Sequence, residues 1–181
     1  MKNYFVRGCL FLVILAVAVS CGGKKGGPGA QAKGQYPGTE EGLKKLMGEF
    51  IADGGSNAEK LSNLLRPVAE DYAAVFEGDF AKKAAETYKE PWDKGLLTLK
   101  TKPGQTEINV LSVTSEDLKA KSEKSREFPG GWLEMAPNLK AGLTIYMVRF
   151  TEPGKERGMR FDGLIYVNER WRIFPKPWRI K

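Results

Sequence analysis

Residues 143–174 read LTIYMVRFTEPGKERGMRFDGLIYVNERWRIF, and this stretch decides the fold. Leu143 to Thr151 is rich in β-branched and aromatic residues, the composition of a strand. Glu152 to Gly158 (EPGKERG) is a loop, and Met159 to Val167 is the next strand. Asn168-Glu169 forms a turn, and Arg170 to Phe174 is the last strand. A two-residue loop pairs Tyr166 with Trp171 and Leu164 with Ile173. A three-residue loop pairs Val167 with Trp171 and Ile165 with Ile173. Both bring apolar side chains together, so the pattern leaves the register open. Glu169 is not the glycine that would settle a type I′ turn.

Towards the N-terminus the period changes from 2 to 3.6. Glu107 to Val113 is a further strand. Thr114 to Arg126 is polar, with Leu118 its one large apolar residue, and reads as a solvated helix or loop. Phe128-Pro-Gly-Gly-Trp132 reads as a turn. Before Pro91 the chain is helical. Leu43, Leu46, Met47, Phe50 and Ile51 make one stripe, with Thr39 as cap, Glu40 and Glu41 in the first turn and Gly54-Gly55 as terminator. Ser56 and Glu59 form a capping-box pattern for a second helix with Leu61, Leu64, Leu65 and Val68 on its apolar face. Pro67 kinks or splits that helix, or opens another through Tyr72, Val75 and Phe76. A last helical piece spans about residues 79–89, with Phe80, Ala84 and Tyr88 on one side, and Pro91 stops it.

Helices first and a strand meander afterwards define an α+β class: one domain, residues 40–181, with N-terminal helices packed on one face of a curved antiparallel sheet. On that order and on Gly163-Leu-Ile-Tyr-Val-Asn-Glu-Arg-Trp171 the body resembles cystatin-like and nuclear-transport-factor-2-like domains. The closing stretch from Phe161 to Trp178 also resembles uncharacterised bacterial lipoproteins and exported proteins, a likeness that implies no activity.

The N-terminal segment has its own pattern. Lys2 and Arg7 precede an almost wholly apolar run, Gly8 to Val19, too short to span a bilayer as a helix. A basic start, a short apolar run and small residues describe a secretory signal peptide over residues 1–20. Ala18-Val-Ser-Cys21 resembles the lipobox of bacterial lipoproteins, departing from it at Ala18, where leucine is usual. The resemblance implies cleavage before Cys21, lipidation of its sulfur (diacylglyceryl and palmitate chains) and loss of Cys9, so no intramolecular disulfide remains. Gly22 after that cysteine implies the outer membrane rather than the inner. Residues 21–39 are then the lipidated cysteine and a tether. Its part 22–38 (GGKKGGPGAQAKGQYPG) holds seven glycines, two prolines and three lysines, with a root-mean-square span of about 23 Å for such a chain.

Composition excludes several chemistries. The 181 residues include no histidine and two cysteines. Ser-His-Asp and Cys-His catalysis, HExxH zinc sites and Cys₄ zinc sites therefore lie outside this chain's means. No metal or cofactor is expected. Of the net charge of +7, residues 1–39 hold +5. Residues 40–93 carry seven bases and twelve acids, and residues 94–181 carry seventeen and ten. The body is electrically two-sided, with any anion-facing surface on the sheet half.

Four arginines are candidates for an anionic envelope ligand or protein partner: Arg149, Arg160, Arg170 and Arg172. The bland reading of the same residues is a solvated outward face of the sheet, with Trp171 in the core. Asp162 lies inside an apolar strand and has three readings: a partner for Arg149 or Arg160, the mark of a bulge beside Gly163, or a catalytic group. The last follows the nuclear-transport-factor-2-like resemblance, which implies a pocket with Asp162, Tyr146 and Tyr166. Lys119 to Arg126 (KAKSEKSR) reads as a solvated segment, and Pro175-Lys-Pro-Trp178 either as a partner ligand or as an edge cover. Nucleic acid is not expected for an exported, tethered chain. The expected function is a lipid-anchored, non-catalytic binding or structural domain in the cell envelope. The alternatives are the pocket enzyme and an accessory subunit of an envelope complex, the last marked by a contiguous exposed apolar patch.

Overall fold

The computed structural model describes residues 32–52 and 54–181. The signal-peptide, Cys21 and early tether readings lie outside these residues.

The α+β class holds: helices come first, and four strands follow in the antiparallel order β1-β2-β3-β4. Helix α1 (Glu40–Ala52) buries Leu43, Leu46, Met47 and Phe50. Thr39 caps it, its Oγ1 accepting from the Gly42 N–H at 3.2 Å. Helix α2 spans Ala58–Leu64, with Asn57 and not Ser56 in the cap position. Ser56 sits one residue too early, in the turn that Gly54 and Gly55 make at φ 60 and 87. Pro67 separates α2 from α3 (Ala69–Val75). Val68 is thereby left outside both helices and is 50% exposed rather than on an apolar face. Helix α4 (Gly78–Asp93) runs two residues past Pro91. A proline in the last turn forfeits a single ladder bond, and buried Trp92 holds that turn on the core.

Strand β1 is Glu107–Thr114. The polar segment after it is structured: α5 (Ser115–Ala120) starts in a reciprocal cap, Thr114 Oγ1 accepting from Asp117 N–H at 3.0 Å and Asp117 Oδ2 from Thr114 N–H at 3.3 Å. Leu118 is wholly buried. The expected turn at 128–132 is instead the start of α6 (Gly130–Met135), which buries Trp132. Strands β2 (Thr144–Thr151), β3 (Gly158–Val167) and β4 (Arg170–Ile173) complete the sheet. Met147-Val148 and Leu164-Ile165 are consecutive and all buried. Since successive strand residues point to opposite faces, the centre of the sheet is covered on both faces and not on one. The second cover is the part of the chain around α5 and α6 that reads as polar or as turn.

The last hairpin adopts the two-residue loop, with Val167 opposite Arg170 and Tyr166 opposite Trp171. Asn168 and Glu169 take φ 51 and 61, the left-handed pair a type I′ turn needs. Without glycine that costs about 1–2 kcal/mol per residue. A buried carboxylate offsets it: Asn168 Nδ2 donates to Asp71 Oδ1 at 2.8 Å. The other Asp71 oxygen accepts from Arg172 Nε at 2.6 Å and from Val68 N–H at 3.0 Å. Arg172 also donates to the Leu64 carbonyl at 2.7 Å. Both side chains are buried, Arg172 at 6% and Asp71 at 1% exposure. Burial pulls the Arg172 pKa below its ordinary value while Asp71 opposes the shift. One residue, Asp71, thus ties α3, the hairpin turn and β4 together.

Residues 34–38, read as tether, dock on this hairpin. Gly34 N–H bonds the Glu169 carbonyl at 2.9 Å, Tyr36 is buried, and the Pro37 carbonyl accepts from Trp171 Nε1 at 3.0 Å. The folded body therefore begins before residue 40.

Two outcomes follow. Asp71→Ala strands a buried guanidinium and lowers unfolding free energy by about 3–5 kcal/mol in urea titration, whereas Asp71→Met with Arg172→Leu recovers most of that loss. At high pH the tyrosines govern. Burial, then the Glu49 hydrogen bond, pushes Tyr36 up to about 12, and burial pushes Tyr88 up to about 12. Their folded values exceed the unfolded value near 10, so the folded state holds more protons between the two. Stability is expected to stay level up to about pH 10 and to fall through about 12, as measured by pH-dependent denaturation with tyrosinate absorbance.

Candidate anion-binding site

The register of β2 on β3 places Arg149 directly opposite Arg160. Opposed residues of an antiparallel pair share a face, and like charges so placed repel. Arg149 is half-buried and Arg160 exposed. Neither has a carboxylate within ion-pair distance among the described residues. Arg149 Nη1 donates to the Glu156 carbonyl at 3.3 Å, a neutral acceptor that steers the guanidinium without cancelling its charge. Asn109 sits opposite Arg149 on the other side, so the row reads Asn109, Arg149, Arg160 across three strands.

A bulge creates this row. Tyr146 pairs with Leu164 but Met147 pairs with Asp162, so Gly163 is the extra residue. Its φ is 85, and a Cβ there would meet the Phe174 carbonyl oxygen and Trp132 Cζ2. The bulge reading of the Asp162-Gly163 pair is therefore correct.

The other candidates separate. Arg172 is consumed by Asp71. Arg170 lies at the hairpin mouth opposite Val167 and has interactions of its own. Asp162 takes neither Arg149 nor Arg160 as ion-pair partner. Its Oδ1 accepts from Trp132 Nε1 at 3.0 Å, a donor on a segment that reads as turn. Tyr146 and Tyr166 flank Trp171 edge-on, at centroid distances of 5.1 and 5.4 Å. By register they share the face opposite that of Asp162, so the three groups of the pocket-enzyme reading do not converge. Burial, then Glu40 and Glu41, raises the Tyr146 pKa.

Two hollows flank the arginine row. One, of about 490 Å³, runs along β1 and includes Asn109, Leu111, Arg149 and Lys155. The other, of about 350 Å³, lies where β3 extends beyond short β4 and includes Leu97, Leu99, Arg160, Asp162 and Lys176. The Lys119–Arg126 run is partly tied down, with Lys119 Nζ on the Leu139 carbonyl at 2.7 Å and Ser125 buried. Pro175-Lys-Pro-Trp178 packs on the body. Trp178 meets Trp132 at 5.7 Å, and Tyr88 hydroxyl donates to the Pro175 carbonyl. Among the described residues no three acids, cysteines or histidines gather as metal ligands, and no helix is long and apolar enough to cross a membrane. Among the described residues the large exposed apolar side chains are Val68, Leu96 and Leu111, on three separate segments of the sequence.

The chain matches no protein-family model, and no curated protein or solved structure is significantly similar to it.

The bulge shifts the β2–β3 register to the one that opposes Arg149 and Arg160, and the Trp132–Asp162 bond sits beside it. Gly163→Ala is expected to lower stability by about 1–3 kcal/mol, because both the dihedral and the close approach forbid a side chain. Trp132→Phe removes one donor from Asp162 and is expected to cost about 1–2 kcal/mol. Urea denaturation of both variants checks these values; a Gly163→Ala protein as stable as its parent contradicts the bulge account.

Proposed function

We propose that this protein is a lipid-anchored cell-envelope lipoprotein whose folded body is a non-catalytic binding module, presenting Arg149 and Arg160 to an anionic group on an envelope ligand or protein. One observation carries the reading: two guanidiniums face each other across the sheet with no carboxylate in ion-pair range among the described residues. Such a pair costs stability, and a costly local arrangement is the usual mark of a functional surface. Two arginine forks can bind one carboxylate or phosphate bidentately. The lipobox-like Ala18-Val-Ser-Cys21 supports the anchor at Cys21 and, with Gly22, the outer membrane. The absence of histidine supports recognition over acid–base chemistry.

Two experiments test this. Cys21→Ala is expected to abolish palmitate incorporation and to release the protein from the membrane fraction; unchanged labelling and partitioning contradict the anchor. Arg149→Gln with Arg160→Gln is expected to lower the salt needed for elution from a phosphate-bearing matrix. The matched control, Lys121→Gln with Lys124→Gln, carries the same charge change and is expected to shift less. The arginine variant is also expected to be as stable as the parent, or more stable by about 0.5 kcal/mol, since a repulsive cross-strand pair is relieved. Equal elution shifts, or a marked loss of stability, contradict the reading.

A further inference from the structure

The two edges of the sheet are finished differently. The β4 edge is four residues long and closed: Ile173 N–H donates to the Leu65 carbonyl at 3.0 Å, and Arg172 covers the Leu64 carbonyl. The β1 edge is eight residues long and has no proline, glycine or lysine, the usual devices against edge pairing. The hairpin fixes which of its backbone groups are free. In a two-residue hairpin the residues flanking the loop, Val167 and Arg170, exchange hydrogen bonds. Carried through the register, that alternation turns the N–H and C=O of Ile108, Val110 and Ser112 away from β2. The end of the strand agrees: Ser115 N–H bonds the Leu143 carbonyl at 2.9 Å, and Thr114 N–H turns outward to Asp117. The 490 Å³ hollow runs along this open edge, and Leu111 beside it is 39% exposed.

We propose that β1 accepts an extended acidic peptide segment as a fifth strand, with an acidic side chain reaching Arg149. This rests on the reading of the Arg149–Arg160 row as an anion site. Backbone pairing with Ile108, Val110 and Ser112 supplies affinity, and side chains on the arginine face supply selectivity. A carboxylate one strand beyond β1 lies about 10 Å from the β2 backbone, a gap that an arginine and a glutamate span from opposite ends. The opposition of Arg149 and Arg160 favours an acidic occupant on that face, although the hollow as a whole is lined by three bases and three acids. Arg149 and Lys155 line the hollow with no ion-pair partner among the described residues, whereas the third cation there, Lys44, is already held by Glu40 at 2.6 Å. The two remaining acids of the lining do not neutralise these cations by contact: Glu107 accepts from Thr151 Oγ1 at 3.4 Å, Glu156 meets Arg149 through its main-chain carbonyl, and neither carboxylate forms an ion pair among the described residues. A second copy of this chain suits the edge less well. The one charge on β1 is Glu107, at its first position, and antiparallel pairing carries it to the far end, away from Arg149.

The test is amide exchange by NMR on the full chain in detergent. The probes are an alternating Thr/Glu octapeptide and its Thr/Lys counterpart. The Thr/Glu peptide is expected to slow exchange at Ile108, Val110 and Ser112 by at least tenfold and to bind at least tenfold tighter than the Thr/Lys peptide. Val110→Pro removes an outward N–H without touching the β1–β2 ladder, and is expected to keep the fold and lose the Thr/Glu peptide. Arg149→Gln is expected to bring the two peptides to equal affinity. Three results overturn the proposal: no slowing with either peptide at millimolar concentration, equal slowing by both, or slowing without peptide that grows with protein concentration and accompanies doubled mass. A Thr/Glu peptide that shifts the Arg149 and Arg160 side-chain signals while leaving the three amides unchanged sinks the edge proposal alone and spares the anion site.

Discussion

The buried ion pair between Asp71 and Arg172 is the constraint on which the rest of the sheet depends. A charged pair out of water is tolerable only when every remaining donor and acceptor is used. Here Asp71 accepts from Arg172, Asn168 and the Val68 N–H, and Arg172 also donates to the Leu64 carbonyl. The network spans the α2–α3 junction, the hairpin turn and β4, joining segments about a hundred residues apart in sequence. It holds a glycine-free turn in a left-handed conformation and fixes which residues of β3 and β4 oppose each other. On the other edge of β3, the β2–β3 pairing carries one bulge at Gly163, and this register brings Arg149 opposite Arg160.

The same residue type therefore has two fates in one sheet. Arg172 is desolvated, fully bonded and committed to the fold. Arg149 and Arg160 stand opposed to each other across β2 and β3, with no acid in ion-pair range among the described residues. Asp162, one face-neighbour along β3 from Arg160, was available as a partner but is directed to the Trp132 indole. That diversion leaves the row positively charged. The two hollows lie on either side of that row.

The meander was legible because Leu143–Phe174 alternates and breaks at clear turns. The stripe of Leu43, Leu46, Met47 and Phe50 made α1 equally plain. The hairpin register was not legible, since Asn168-Glu169 lacks glycine and its support, Asp71, is remote in sequence. Thr114–Arg126 and Phe128–Trp132 misled for a related reason. Single anchors, Leu118 and Trp132, bury short helices that carry too few apolar residues to show a period. All four arginines were visible as candidates, but sorting them required the distant Asp71 and the one-residue slip at Gly163, neither of which a local pattern reveals.

The arginines divide into one that holds the fold and two that are proposed to bind an anion. Side-chain ¹⁵Nε relaxation of Arg172, Arg149 and Arg160, recorded before and after addition of inorganic phosphate, tests that division most directly. The account predicts a rigid, slowly exchanging Arg172 signal that phosphate leaves unchanged, and mobile Arg149 and Arg160 signals that shift and rigidify together. Rigid Arg149 and Arg160 signals in the free protein, indifferent to phosphate, would contradict it.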